Sequence, residues 1–391
     1  MPILLVILLI FGSCATPNTK PPELSSSEVT EEIIHQLEGT FRLTMQRQER
    51  IERLAPSIMR VNAALCGKKT RLQFGFNYLD SASTRNMKPV YRLLNLRYYG
   101  IEKLHGQPIV TKLVAGSPAA HSDLQPGDRI MKIGGDSIQT TVFKRNDTAR
   151  TRTGSGPRSY INSDQEDQEF RSNLDKLLKR HAPSGPTIFT VQRKVAANKD
   201  RTIDIPITVE PICSPLVYHS DGQEINAYTD GENIVLTAGM LDFATDSELA
   251  LVITHELAHC IEGHISKKKT NALLGGIMGA VFEGALGAVT GMPTYGGITQ
   301  SATEAGATAF SQAFEQEADY VGLYLMARAG FDTEGAADFW RRMAARNPVA
   351  SNNFSGTHPP TAHRYLLLDK THTEIERKKA EGSPLVPNRQ E

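Results

Sequence analysis

Two histidines one helical turn apart, in the run His255-Glu256-Leu257-Ala258-His259, constrain this chain more than any other feature. Residues four apart share a helix face, so both imidazoles can reach one metal ion if the segment is helical. Thr245 with Glu248 forms a capping box, and Leu249, Val252 and Ile253 lead into the motif as a buried helix would. A catalytic zinc site needs a third protein ligand and one open position. A histidine six residues after His259 would be one source, but that position is Ile265, and His264 is one residue out of register. The other source is a carboxylate on a second helix. Phe314-Glu315-Gln316-Glu317-Ala318-Asp319 offers Glu315, with Asp319 placed to accept a hydrogen bond from the outer nitrogen of a ligand histidine. Glu317 points about 200° away and is the weaker candidate. The rival reading is that these acids form a solvated helix face. Glu256, between the ligands, can take a proton from water and return it to a leaving amine. The chemistry expected of such a set is metal-assisted hydrolysis of a peptide bond.

The first residues address the chain. The apolar run Ile3 to Phe11 is too short to span a bilayer but suits a signal-peptide core. Gly12 and Ser13 precede Cys14, so the segment resembles a bacterial lipoprotein signal with Cys14 lipidated. A plain secretory signal is the alternative. With Ala15 next, the resemblance implies the outer membrane. Export permits disulfides. Cys260 sits in the motif helix, so Cys66–Cys213 is the candidate pair, with two free buried thiols as the alternative. Lys and Arg together number 43, as do Asp and Glu, so charge gives no sign of a nucleic-acid partner.

Ser27 precedes Glu28, and Val29, Ile33, Leu37 and Phe41 follow at four-residue spacing, an amphipathic helix with a cap. Ile51, Leu54, Ile58, Val61 and Leu65 continue the stripe past a kink expected at Pro56, and the whole reads as core packing. Residues 71–79 alternate and read as one strand. From Ile109, a strand enters Gly116-Ser117-Pro118-Ala119-Ala120. Pro126-Gly127-Asp128 then turns into a second strand. This spacing resembles a PDZ domain, closed by a helix at 163–181 and strands Thr187–Arg193 and Arg201–Val209. PDZ domains bind chain termini by strand addition. Lys144–Ser159 reads as a solvated basic insertion. Asp230-Gly231 between Ile225–Thr229 and Asn233–Thr237 signals a hairpin whose strand at Asn226 and Ala227 could pair with substrate backbone. Residues 271–296, rich in Gly and Ala, read as a mobile or buried flap, with a membrane dip as the rival.

Taken with Thr357-His358-Pro359-Pro360 and Arg364, the two acid and histidine motifs resemble the HtpX and CAAX-prenyl-protease type of zinc metallopeptidase, peptidase family M48, over about residues 215–370. The PDZ unit and the absence of clear spans place the resemblance in its exported bacterial branch. It implies one catalytic zinc per chain held by His255, His259 and Glu315, with Glu256 catalytic and Asp319 supporting a ligand. It also implies that His358 and Arg364 approach the cleft, as transition-state donors or as a plug. The expected fold is α+β: a mainly helical gluzincin metalloprotease domain with a small edge sheet, plus an inserted β-rich PDZ domain. The expected boundaries are a signal peptide at 1–13, a tether at 14–26, and a helical segment and strand at 27–96 packing on the protease. A PDZ domain follows at 97–212 with its insertion near 144–165, then the metallopeptidase at 213–380 and a tail at 381–391. The expected protein is an endopeptidase at the periplasmic face of the bacterial envelope. Its partners would be protein or peptide substrates, an envelope protein bound through the PDZ domain, and the membrane through a lipid anchor, with no nucleic acid. The alternative is a PDZ adaptor or chaperone whose zinc site is latent or structural.

Overall fold

The computed structural model describes Thr19 and residues 21–80, 89–102, 107–138, 177, 180–181, 186–196, 199–290, 299–301, 311–346 and 361–389. Cys14, His358, the basic insertion, most of the helix expected at 163–181 and residues 291–296 lie outside them. The fold is α+β. The chain divides into two units, Met1–Thr44 and Met45–Glu391.

The first unit holds the start of α1 (Ser26–Val61), which continues through Pro56 without a break. Its cap is Ser25 rather than Ser27. Glu28 donates its backbone N–H to Ser25 Oγ at 3.2 Å, and the Ser25 N–H returns a bond to Glu28 Oε2 at 2.7 Å. Val29 and Ile33 are exposed here while Phe41 is buried, so the start of the expected core stripe is not core.

In the second unit, Ile51, Leu54 and Ile58 of α1 are buried in the main core. Arg47 pairs both oxygens of Asp242, and Arg50 joins the Ala244 carbonyl to the Asp246 carboxylate, each at 2.9 Å. Buried Asn62 donates to the Leu325 carbonyl at 3.0 Å and accepts from Arg328. Through these bonds α1 positions the helices that carry the ligand candidates.

Residues 71–79 are two strands, not one. β1 (Thr70–Gln73) stops at Phe74-Gly75, and β2 (Phe76–Leu79) begins beyond it. α2 (Pro89–Tyr98) follows, then β3 (Ile109–Leu113), β4 (Arg129–Ile133), β5 (Asp136–Ser137), β6 (Thr187–Ala196), β7 (Lys199–Ile207) and β8 (Glu210–Cys213). β2 joins the antiparallel sheet β2-β3-β4-β6-β7, with β5 on β4, so this strand belongs to the inserted unit rather than to packing on the protease. That sheet buries Phe74, Val110, Ile130, Ile133, Phe189 and Ile205. Arg193 clamps buried Asp128 of the Pro-Gly-Asp turn, donating to its two oxygens at 2.7 and 2.6 Å. Among the described residues β1 pairs with β8 alone, from Thr70↔Cys213 to Gln73↔Glu210, and a Cys66–Cys213 disulfide with Cα atoms 5.6 Å apart closes this neck. The inserted unit therefore leaves and re-enters the main core at one place.

The rest of the chain is a small sheet and a helical layer. β9 (Leu216–Ser220), β10 (Ala227–Thr229) and β11 (Asn233–Thr237) pair in the order β10-β11-β9, with β9 parallel to β11. Among the described residues, the helices α3 (Ala238–Phe243), α4 (Asp246–Glu262), α5 (His264–Thr290), α6 (Ser311–Arg328), α7 (Ala336–Arg346) and α8 (Ala362–Ala380) follow. α4 is the central helix, buried continuously from Leu249 to Cys260 and packed on α6. α5 is not a buried flap: Leu273, Leu274, Ile277, Met278 and Val281 are all exposed. Among the described residues, no helix is long and apolar enough to cross a membrane. The tail is tied down. Lys378 donates to the Val386 carbonyl at 2.8 Å, and Arg389 reaches Glu262 at 2.8 Å.

Candidate metal centre

Local rules build the site. Thr245 caps α4 with the reciprocal bonds of a capping box, the Thr245 N–H donating to Glu248 Oε2 at 2.8 Å. That fixes where the helix starts, and so which face carries His255 and His259. Gly263, at φ 68°, ends it in the left-handed region that side chains disfavour, and α5 starts one residue later. α6 approaches α4 closely at Gly322, where a Cβ would stand 3.0 Å from the His255 Cα. The absence of a side chain there lets Glu315 and Asp319 of the same helix reach the imidazoles.

His255, His259 and Glu315 converge and are at most 2% exposed. The two Nε2 atoms stand 3.2 Å apart, and Glu315 offers one oxygen to each at 3.4 Å. Donors held about 2.0–2.2 Å from one ion at tetrahedral angles stand about 3.3–3.6 Å apart, so the triangle fits zinc. The outward nitrogens agree. His255 Nδ1 faces Asp319 Oδ1 at 3.1 Å, so it is the proton-bearing nitrogen and its Nε2 lone pair points inward.

Asp319 is itself held. Arg364, 3% exposed, donates Nε to Oδ2 at 2.7 Å and Nη2 to Oδ1 at 2.8 Å, and its Nη1 lies 3.6 Å from Glu315. Burial alone would raise the Asp319 pKa, but the charge and hydrogen bonds of Arg364, together with His255, lower it. Burial likewise opposes charge on His255, yet Asp319 and Glu315 raise its pKa. At His259 burial wins, and the pKa falls. The geometry directs the Arg364 fork at Asp319, which differs from the expected role as a transition-state donor. Glu256 is 1% exposed on α4. β10 is the outermost strand of its described sheet and packs on α4, with Ala227 buried and the Asn226 N–H donating to Thr237 Oγ1 at 3.1 Å. Cys260 is buried and turned from the ligands toward Thr229 Oγ1, 3.0 Å away, and burial raises its thiol pKa to about 11.

Three neighbours lie outside the residues the sequence assigns to the site. Lys268 Nζ stands 3.8 Å from Glu315. His264, fully buried, places Nδ1 2.8 Å from His259 Nδ1 and Nε2 2.8 Å from Glu317, and burial lowers its pKa to about 4. Trp340, the sole tryptophan, lies with its ring 5.2 Å from that of His255 and with Arg364 over it at 5.4 Å. Its emission should therefore change on zinc titration of chelator-treated protein and level off at one equivalent. A flat titration would count against metal at His255.

Comparison with known proteins agrees with this geometry. Residues 205–372 match the model of peptidase family M48, and residues 93–155 match that of the PDZ domain. Mitochondrial metalloendopeptidase OMA1 of Saccharomyces cerevisiae is 26% identical over 221 residues, 51% of this chain and 59% of that protein. The beta-barrel assembly-enhancing protease of Yersinia pestis is 28% identical over 152 residues, 36% of this chain and 31% of that protein. Metalloprotease LoiP of Escherichia coli is 26% identical over 143 residues, 36% of this chain and 56% of that protein. The chain thus spans less than two thirds of each of these relatives. One chain here joins a segment that matches the model of peptidase family M48 to one that matches the model of the PDZ domain.

Proposed function

We propose that this chain is a zinc-dependent metalloendopeptidase of the bacterial cell envelope, of the exported branch of the HtpX type. In this reading Cys14 carries a lipid that holds it at the periplasmic face of the outer membrane. Its substrates are unfolded or misassembled envelope proteins, and the PDZ domain takes substrate or partner tails. The observation that carries the reading is the buried His255–His259–Glu315 triangle with donors 3.2–3.4 Å apart. The name of one bacterial relative, given for beta-barrel assembly, supports the envelope setting.

Zinc, when bound, supplies a Lewis acid that brings the acidity of water to about pH 7 and polarises a carbonyl. The chain's own groups do the rest. Glu256 accepts the proton of the attacking water on its carboxylate and delivers it to the leaving amine. Asp319 fixes the tautomer of His255, and Arg364 fixes Asp319, a pair of charge-assisted bonds in a dry setting. The family resemblance gives His358 the role of a transition-state donor or a plug, and Asn226 and Ala227 are assigned to the substrate backbone.

Metal analysis together with casein hydrolysis tests the reading. Purified protein should hold one zinc per chain, lose cleavage on chelation and regain it when zinc returns. Full zinc loading with casein left intact would favour the adaptor or chaperone instead.

A further inference from the structure

Asp319 and Arg364 account for only one of the two ligand imidazoles. His259 has its own outward partner on a different element. Its Nδ1 lies 2.8 Å from Nδ1 of His264, whose Nε2 lies 2.8 Å from Glu317 Oε2. Between two ring nitrogens there is one proton, and the carboxylate decides which ring carries it. Glu317 can only accept, so His264 Nε2 holds a proton and donates it there. With one proton on that ring, His264 Nδ1 is the acceptor, and His259 Nδ1 must be the donor. That leaves His259 Nε2 with its lone pair turned toward His255 and Glu315, as a metal ligand requires. The opposite tautomer would put a proton on Nε2 and aim it into the ligand triangle.

The position of His264 is built. Gly263 breaks α4 in a left-handed turn, its N–H returning to the His259 and Cys260 carbonyls, so the first residue of α5 folds back over His259. The His264 ring is fully buried and stacks on Phe314 with centroids 4.7 Å apart and planes 17° from parallel. Phe314 and Glu317 belong to α6, the helix that also carries Glu315 and Asp319. Both outer carboxylates therefore come from α6, one behind each imidazole of α4.

We propose that His264 and Glu317 form a positioning arm for His259, the counterpart of Asp319 and Arg364 behind His255. It sets the tautomer and ring orientation through which His259 holds a metal ion. The inference rests on the metal centre proposed above. The arm touches no substrate, so its loss is read in metal affinity, where removing such a partner costs about 10–100-fold.

The test is the zinc dissociation constant of the full chain, measured by competition with a fluorescent chelator, together with thermal melting of the metal-free protein. His264→Phe keeps a ring on Phe314 and removes the acceptor; it should bind zinc about 10–100-fold more weakly while the metal-free melting temperature is little changed. His264→Asn, whose side-chain oxygen replaces Nδ1, should recover much of the affinity. Glu317→Leu, at a residue whose side chain is 40% exposed and so tolerant of change, should weaken zinc in the same direction, and Glu317→Gln less. Should His264→Phe fail to fold, the two Glu317 variants decide. Wild-type affinity in His264→Phe, or equal weakness in His264→Phe and His264→Asn, would overturn the arm while leaving the metal centre in place. Failure of the unmodified chain to bind zinc would instead overturn the metal centre, and the arm with it.

Discussion

A chain carrying Glu256→Gln should retain its zinc and lose peptide hydrolysis by about 10²–10⁴-fold. The amide matches the carboxylate in size, so the buried surroundings of residue 256 need not repack. The ligands are untouched, because the convergence of His255, His259 and Glu315 depends on the α4–α6 contact and on the outer partners, not on Glu256. What the amide cannot do is hold a proton between the attack of water and the departure of the amine. Casein cleavage and zinc content measured on one preparation separate the outcomes. Loss of cleavage with zinc retained supports the assigned base. Intact turnover removes Glu256 from that role, and loss of zinc would make it a structural group.

The second large effect is on stability. Replacing Cys66 and Cys213 together by serine should destabilise the chain by up to about 5 kcal/mol, the loop-closure entropy of a long cross-link. The bond joins residues separated by 147 positions, and both sulfurs are buried, at 3% and 0% exposure. Without it, the neck keeps the β1–β8 ladder and the Ser214 N–H bond to the Lys69 carbonyl at 2.8 Å, but the chain between the two strands is free to extend in the unfolded state. For a unit of this size the melting temperature should fall by up to about 10 °C. The comparison of unmodified protein with and without reductant should give the same shift. A change of a degree or two in both would show that the cross-link adds nothing to the neck.

What could be read from the residues was what local chemistry decides. The capping box at Thr245 and Glu248, the turn at Asp230-Gly231 and the four-residue spacings of 255/259 and 315/319 act over one helical turn or one hairpin. Each appears in the structure where its pattern lies. Patterns that depend on a distant partner were less legible. Alternation runs smoothly from 71 to 79, but the strands on either side of Phe74-Gly75 pair with different neighbours, β8 and β3. No periodicity records that change. The four-residue stripe of α1 is uniform in sequence, yet Ile58 is buried and Ile33 is 51% exposed, because only the later part has a core to meet. His264 was visible as a histidine out of register for a ligand. Its contact with His259 arises from the left-handed turn at Gly263, which converts a separation of five residues into a direct hydrogen bond.

The neck has one more consequence. Gln73 and Glu210 face each other at its mouth as the last antiparallel pair, the position at which two strands are ordinarily joined by a tight reversal. Everything between them could be exchanged for a dipeptide such as Asn-Gly without altering the pairing below. A main core built this way can acquire, discard or trade its inserted unit in a single genetic event, because the scar is no larger than a hairpin turn.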